Sequence, residues 1–261
     1  MNNMRKNFFI LSLITLFLVG PAYAWLNMGA TQSKRPSYFA SAILSMNFEE
    51  GLNAYNSAGE RVLFTSSGAD IGAYGDGGGQ ALKYDDVDEE ITYTQTGNQY
   101  LNSDVAQTIC MKIKVSAPLD TGTRFFDFHY PTGTNFVQCR IQVAGDERLL
   151  CLYGAQMGVL DAYGDKVGTG TWEVIGYSWT IPGVSGDHAS NSGDHNPPSW
   201  ADGWDEDADE ITQTMINDPT VLMVGGSTEN EDPGDTESII IDEWAIFAGY
   251  QVNCSDYMTG N

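Results

Sequence analysis

Basic residues are scarce in this sequence, where 12 Lys and Arg stand against 35 Asp and Glu and the formal net charge is −23. The negative electrostatic field of such a protein repels the phosphates of nucleic acids and of anionic lipid surfaces. The sequence therefore excludes nucleic acid as an expected partner. The excess of acidic residues favours solubility and the binding of cations such as calcium. Adaptation to a salty medium is an alternative explanation of the acidic surface.

Long hydrophobic runs are also lacking, except for one near the N-terminus. Arg5 and Lys6 precede this run at residues 8–19, and the small-x-small triplet of a cleavage site follows at residues 22–24. The run is shorter than the roughly 20 residues that a membrane-spanning helix needs. We therefore predict a cleaved signal peptide at residues 1–24, no lipid anchor, no membrane insertion after processing, and a secreted, periplasmic or extracellular location.

Nothing in the chain resembles a long amphipathic helix. Gly-rich and Asn/Asp/Ser-rich breaks recur about every ten residues instead, which is the spacing of an all-β sandwich or jelly roll. In residues 107–115, Lys112 and Lys114 alternate with apolar side chains, so one face of that strand should lie in the core and the other should be exposed to solvent. We predict one antiparallel two-sheet β-sandwich over residues 42–261, after a lead-in at residues 25–41.

The predicted strands are short and lie between these polar breaks. They cover residues 43–48, 61–65, 80–84, 90–95, 107–115, 124–130, 136–143, 149–153, 172–180, 211–216, 221–225 and 238–247. Asp242 and Glu243 interrupt the last strand, which is otherwise apolar. Three tryptophans in strands are expected to be core or half-buried, and His129 is expected inside the sandwich; the tryptophans are Trp172, Trp179 and Trp244.

Cysteine is rare, with four residues, all beyond the predicted cleavage site. An even number in an oxidising compartment is typical of two disulfides. A segment that alternates up to a turn at Gly145 and then returns puts Cys139 opposite Cys151, where the Cβ atoms are close enough for a bridge. Cys110 would then bond Cys254, unless the first two are small buried thiols. The same hairpin register pairs Ile141 with Leu149 and Val137 with Tyr153.

Five short patterns follow one another along the chain. They are LSMNFEEG at 44–51, GQALKYDD at 79–86, QTICMKIKV at 107–115, GTWEVIGYS at 170–178, and the pair TVLMVGG at 220–226 and SIIIDEWAIF at 238–247. In this order they resemble laminin-G-like domains of the concanavalin A-like jelly-roll type. The resemblance implies a two-sheet jelly roll with recognition at rim loops. Glu173 and Val174 replace the family's usual His pair, so its binding residues are not carried over.

The most unusual segment is the polar connection at residues 183–210, because loops of that length are usually functional or disordered. Trp200 and Trp204 lie in it. Exposed indoles offer flat faces to sugar rings or protein anchors, although both could instead fold back over a sheet. The predicted ligand-binding residues are Trp200, Trp204, Asp187, Asp194 and Asp202.

The same segment carries the predicted metal site. Asp205, Asp207 and Asp209 imitate the start of an EF-hand loop, since alternate acidic residues can aim oxygen ligands at calcium. The positions that need Gly and a bidentate Glu hold other residues, so a true EF-hand is not expected. Acidic clusters at 85–88 and 229–235 are alternative calcium sites, and a solvated acidic loop is the competing interpretation of each.

Catalysis is the alternative to binding. A glycoside hydrolase needs two carboxylates at a fixed separation, and laminarinase-like relatives place theirs on one strand as Glu-x-Asp-x-x-Glu or Glu-x-Asp-x-Glu. Residues 88–92 and 242–244 lack the third acid of that pattern. We therefore predict a secreted module that binds a glycan or an extracellular protein, with calcium as the candidate cofactor. The alternatives are a polysaccharide-cleaving enzyme with dispersed acids and a structural subunit that assembles through exposed strand edges.

Overall fold

A computed structural model describes residues 41–84, 89–116, 123–131, 136–141, 148–155, 158–166, 170–180, 188–192, 205–206, 219–225, 239–250 and 252–254. These residues fall within one unit that extends from Tyr38 to Asn261. Their regular structure is almost entirely β-strand. Within these ranges, no helix has both the length and the apolar character needed to cross a membrane.

The strands are numbered in the order in which they follow one another along the chain. They are β1 (Ala42–Met46), β2 (Asn53–Asn56), β3 (Arg61–Leu63), β4 (Thr65–Ser67), β5 (Asp70–Gly72), β6 (Ala81–Tyr84), β7 (Glu90–Thr94), β8 (Gln107–Val115), β9 (Arg124–His129), β10 (Phe136–Ile141), β11 (Arg148–Ala155), β12 (Gly158–Lys166), β13 (Trp172–Trp179), β14 (His188–Ser192), β15 (Asp205–Glu206), β16 (Val221–Gly225) and β17 (Ile239–Ala248). A single 3-10 turn at Asp76–Gly78 separates β5 from β6.

Two antiparallel sheets are formed. The large sheet has ten strands in the order β15-β14-β13-β8-β17-β1-β2-β3, with β6 paired to β17 and β5 to β6. The small sheet has seven strands in the order β12-β11-β10-β9-β16-β7-β4. The prediction of an all-β antiparallel two-sheet sandwich is therefore confirmed.

The main core lies between the sheets and is built by side-chain alternation. In β8 the residues Ile109, Met111 and Ile113 are fully buried, whereas Lys112 and Lys114 between them are partly exposed. Strand β13 contributes Ile175, Tyr177 and Trp179 to the same core, and β17 contributes Trp244. The Trp244 ring lies 5.5 Å from Phe64 and 6.4 Å from Phe128, centroid to centroid. Burial of one such side chain is worth about 1.5–3 kcal/mol.

Strand β17 organises the large sheet. One edge pairs with β8, while the other edge pairs with β6 at residues 239–241 and with β1 at residues 244–247. Between these two partners the register against β8 shifts, from Ile241 to Glu243. Because a bulge inserts an extra residue into the pleat, Ile241 and Trp244 both face the core, although two acidic residues separate them. The bulge explains how Asp242 and Glu243 interrupt an apolar strand.

A second, smaller apolar cluster lies on the outer face of the large sheet, away from the main core. The C-terminal residues Val252 and Cys254 pack onto it, and its other members are Ala42, Cys110, Val174, Ala245 and Phe247. The predicted disulfide between Cys110 and Cys254 is present, with a Cα–Cα distance of 5.5 Å. Thr108 adds two hydrogen bonds, donating from Oγ1 to Gly249 O at 2.8 Å and accepting from Val252 N at 3.2 Å.

The second predicted disulfide is also present. Cys139 and Cys151 lie opposite each other in β10 and β11 and are bonded, with a Cα–Cα distance of 4.1 Å. The hairpin register is the predicted one, with Ile141 opposite Leu149 and Val137 opposite Tyr153. The register of this hairpin, with both of these residue pairs, followed from the alternation of apolar side chains.

Several strands were not predicted. The segment 183–210 was taken as one connection, but β14 and β15 lie in it and extend the large sheet from β13. Strands β2, β5 and β12 were also missed, because their sequences are polar or glycine-containing and show no clear alternation. Each nevertheless pairs with a strand next to it in the sequence: β2 with β1 and β3, β5 with β6, and β12 with β11. The predicted strand at 211–216 lies outside the described residues.

Candidate functional site

The outer face of the large sheet carries a row of partly exposed side chains. Trp172 of β13 lies opposite Lys114 of β8, Ile240 of β17 lies on the far side of Lys114, and Lys83 of β6 lies beyond Ile240. Because neighbouring strands lie about 4.8 Å apart, this row is roughly 14 Å long. These four residues, with Lys112, are called the Trp172 face below.

Two ammonium groups fix the position of the Trp172 indole. Lys112 Nζ lies 5.7 Å from the ring centroid, and Lys114 Nζ lies 5.8 Å from it. Both distances are within the range of a cation–π interaction. The strand orients the ring, since Ile175, Tyr177 and Trp179 alternate into the core and leave Trp172 on the outer side. The result is a preordered aromatic surface with cations beside it.

Lys112 is also the centre of an ion-pair network. Its Nζ donates to Asp76 Oδ2 at 3.0 Å and pairs with Asp242 Oδ2 at 3.2 Å. The other oxygen of Asp242 accepts the backbone N–H of Asp76 at 3.2 Å. Burial lowers the pKa of Lys112, but Asp76, Asp242 and Glu243 outweigh it and raise that pKa above its ordinary value. Lys112 is therefore charged, and its charge is already balanced by carboxylates.

The glycine-rich turn before β6 is held against this network. Gln80 N donates to Glu49 Oε1 at 3.0 Å on one side, and Asp242 accepts from the turn on the other. A Cβ atom at Gly75 would lie 2.6 Å from Asp242 Oδ1, and one at Gly79 would lie 2.4 Å from Glu49 Oε1. The glycines thus allow both carboxylates to approach the backbone. Strand β5, which pairs with β6, and this turn are therefore both attached to the large sheet.

A second polar cluster lies on the small sheet. Asp127 of β9 and Gln138 of β10 face each other across the pair, and each is only 6% exposed. Arg124 Nη1 donates to Asp127 Oδ2, and His129 Nδ1 lies 3.4 Å from Asp127 Oδ1. Asp127 raises the pKa of His129 above 6.5, despite the opposing effect of burial. Within the described part of the chain, Asp127 Oδ1, His129 Nδ1 and Gln138 Oε1 are buried without a hydrogen-bond partner.

This cluster corrects the expectation for His129. The residue was expected inside the sandwich, but its side chain is 31% exposed and lies at the end of β9. Trp179 and Trp244 are fully buried, as expected, and Trp172 is half-buried. From the sequence, Trp172 was expected only to be a core or half-buried packing residue. The signal that could have identified it is its position on the same strand face as the polar side of β8.

The residues predicted for ligand and calcium binding fall almost entirely outside the described ranges. They are Trp200, Trp204, Asp187, Asp194, Asp202, Asp207 and Asp209. Asp205 is the first residue of β15, which pairs with β14 through Ser190. Among the side chains that the structure describes, no group of three or more His, Cys, Asp or Glu is arranged to hold a metal ion. The ligand and calcium assignments stay predictions.

Comparison with known proteins identifies the fold. No protein-family model matches the sequence, and no curated protein matches it. The binding domain of botulinum neurotoxin DC in complex with SialylT matches with a TM-score of 0.61 and 13% identity, over 86% of this chain and 53% of that one. The same domain in complex with rat synaptotagmin II matches with a TM-score of 0.61 and 14% identity, over 85% and 51%.

A third structure concerns botulinum neurotoxin type C, whose cell entry depends on interaction with two ganglioside molecules. It matches with a TM-score of 0.62 and 14% identity, over 85% of this chain and 51% of that one. The chain therefore spans about half the length of these domains. These likenesses show a β-sandwich fold, in agreement with the two antiparallel sheets.

Proposed function

We propose that this chain is an exported module that binds a glycan on a target surface. Its fold is similar to that of toxin binding domains that are described with SialylT, gangliosides or synaptotagmin II. Both of its disulfides are of the kind that persists in oxidising compartments, which supports export. A protein partner is the second candidate, because one of those domains is bound to a protein.

The observation that carries the glycan proposal is the geometry of the Trp172 face. A partly exposed indole is costly to leave in water unless a partner covers it, and its flat surface complements the C–H face of a sugar ring. Lys112 and Lys114 hold the ring in place, so little conformational entropy is lost when a ligand stacks on it. The neighbouring ammonium and carboxylate groups can exchange hydrogen bonds with sugar hydroxyls.

The segment that contains Trp200 and Trp204 is proposed as a second part of the binding surface, together with Asp187, Asp194 and Asp202. Asp205, Asp207 and Asp209 are proposed to bind calcium and to order that segment, since hard cations take oxygen ligands from acidic loops. Retention on a glycan array should then fall when calcium is chelated. A Trp200→Ala/Trp204→Ala variant with unchanged binding would remove this segment from the proposal.

The main test uses the processed protein on a glycan array, followed by titration calorimetry with the best binder. Trp172→Ala should weaken binding by about 5- to 150-fold, because one stacked ring contributes about 1–3 kcal/mol and 1.4 kcal/mol is a factor of ten. Leu63→Ala is the matched control, since Leu63 is 64% exposed on β3, at the far edge of the same sheet. Unchanged binding by Trp172→Ala would exclude the Trp172 face.

Two other outcomes separate the alternatives. Release of reducing sugar from a polysaccharide panel would support an enzyme. Filaments that form with increasing protein concentration and without sugar would support a structural subunit, because exposed strand edges can pair between chains.

A further inference from the structure

The outer face of the small sheet carries an arginine pair that the proposed function does not use. Arg124 of β9 and Arg140 of β10 are register partners. Cys139 and Ile141, on either side of Arg140, lie in the main core, so Arg140 lies on the outer side of the sheet. Register partners share a face, so both arginines lie on that side. Like charges opposite each other are destabilising, and an anion between them would relieve that cost.

Basic residues are concentrated at this end of the small sheet. Arg124 and Arg148 are the first residues of β9 and β11, Arg140 is the last but one of β10, and Lys166 is the last of β12. Because these four strands are antiparallel neighbours, all four positions are at the same end of the sheet. The four strands hold four of the 12 basic residues of the chain but only three of its 35 acidic residues. Their local charge is therefore positive in a strongly acidic protein.

The two arginines differ in their partners. Arg124 Nη1 donates to Asp127 Oδ2, whereas no carboxylate of the described residues lies within ion-pair distance of Arg140. The Arg140 side chain is partly exposed, so an anionic group can approach it. A guanidinium group presents five N–H donors in a rigid fork, which matches the two oxygens of a carboxylate.

The surface next to the arginine pair lacks a hydrogen-bond donor. Gln138 lies on the same face of β10, two residues before Arg140, and is only 6% exposed. Its Oε1 is buried without a hydrogen-bond partner in the described ranges. A buried acceptor costs free energy until a donor reaches it, and a sugar hydroxyl is such a donor. Leu152 of β11, a register partner of Gln138, adds an apolar side chain that belongs to neither hydrophobic cluster.

We propose that this end of the small sheet is a second ligand site, which binds a sugar unit that carries a carboxylate. The carboxylate pairs with Arg140 and Arg124, a ring hydroxyl donates to Gln138 Oε1, and the C–H surface of the ring packs on Leu152. The site lies on the other sheet from the Trp172 face. It therefore goes beyond the proposed function and is tested separately from it.

The experiment compares three probes by titration calorimetry of the processed protein at physiological salt. Trigalacturonate carries carboxylates and hydroxyls, its methyl ester carries the hydroxyls without the charge, and sodium sulfate is an anion without a sugar. EDTA is present, so that calcium cannot bridge carboxylates of ligand and protein. Trigalacturonate should bind best. Equal affinity for the methyl ester would overturn the ionic contact, and equal affinity for sulfate would overturn the assignment of a sugar.

Substitution of Arg140 tests the ionic contact. Arg140→Gln should weaken trigalacturonate binding about three- to tenfold, because a partly exposed ion pair lies between a fully exposed pair and a buried charge-assisted hydrogen bond. Arg140→Lys keeps the charge but loses the fork, so it should recover only part of the affinity. Arg61→Gln is the charge-matched control, since Arg61 is 63% exposed on β3 of the large sheet. Its affinity should equal that of the unsubstituted protein.

Substitution of Gln138 separates a ligand contact from a structural role. Gln138→Met keeps the length of the side chain and removes the buried acceptor, so it should raise the urea midpoint of the unliganded protein. The same change should weaken trigalacturonate binding several-fold, because the ligand hydroxyl loses its acceptor. A higher midpoint with unchanged affinity would exclude Gln138 from the site.

Two results would overturn the site as a whole. The first is full trigalacturonate affinity in Arg140→Gln; binding at the Trp172 face, which Trp172→Ala measures, would then still stand. The second is tighter binding of single-stranded DNA or of phosphatidylserine vesicles than of trigalacturonate, with the same loss in Arg140→Gln. The arginine pair would then bind phosphates, and the sugar assignment would fail.

Discussion

The two disulfides should contribute unequally to stability, and the structure gives the size of the difference. Cys110 and Cys254 are separated by 144 residues, and Cys139 and Cys151 by 12. In the chain-entropy model a bridge stabilises the fold by restricting the unfolded chain, and the effect grows with the logarithm of the loop length. These separations correspond to about 5 and about 3 kcal/mol. The shorter loop lies inside the longer one and reduces its effective length only slightly.

Replacement of each pair by alanine isolates this term. All four cysteines are fully buried, so the cost of the small cavities is similar in the two double variants. Cys110→Ala/Cys254→Ala should therefore lower the free energy of unfolding by about 2 kcal/mol more than Cys139→Ala/Cys151→Ala. It also removes the covalent anchor that holds Val252 on the outer face of the large sheet.

The assay is urea unfolding of the oxidised, processed protein, followed by tryptophan fluorescence and circular dichroism. The free energies are obtained by linear extrapolation, with the slope fitted separately for each variant because loss of a bridge expands the unfolded state. An equal or larger cost for the Cys139/Cys151 pair would refute the reasoning. Loop entropy would then not be the dominant difference between the bridges.

Two further predictions concern His129 and Gly79. Asp127 raises the pKa of His129 in the folded state. The stabilisation from that pair is therefore complete below pH 6.5 and is lost as the pH rises through the higher pKa of the folded state. His129→Gln should flatten this part of the pH dependence of the urea midpoint. Gly79→Ala should cost about 0.5–1.5 kcal/mol, because its Cβ would displace the exposed carboxylate of Glu49 and break the hydrogen bond from Gln80 N, and the same change should cost less in a Glu49→Ala background, where that hydrogen bond is already absent. Additive losses would contradict the second prediction.

Local patterns were sufficient for the elements that a single strand or hairpin specifies. Strand β8 has the predicted bounds, and its alternation between core and exposed side chains is the one expected. The Cys139–Cys151 bridge was predicted because one turn fixes the register of its hairpin. In both cases the period of two residues is readable over a short stretch of chain.

Features that need three strands at once were not predictable. The bulge at Asp242 lies where β17 changes partner on one edge, from β6 to β1, while its other edge stays paired with β8. The acidic residues were visible in the sequence, but their effect on register was not. Strand β2 has no apolar periodicity and forms between β1 and β3, where each partner supplies its hydrogen bonds.

The location of the Trp172 face also follows from a long-range constraint. Alternation assigns Ala245, Phe247 and Trp172 alike to outward positions of the large sheet, so it does not distinguish the covered positions from the exposed one. The C-terminal residues up to Cys254 make that distinction, because they bury Ala245 and Phe247. Lys112 lies between the buried and exposed rows, opposite Val174 and Glu243. The disulfide that holds the C-terminal residues on one part of the outer face therefore also determines which outward positions these residues cover.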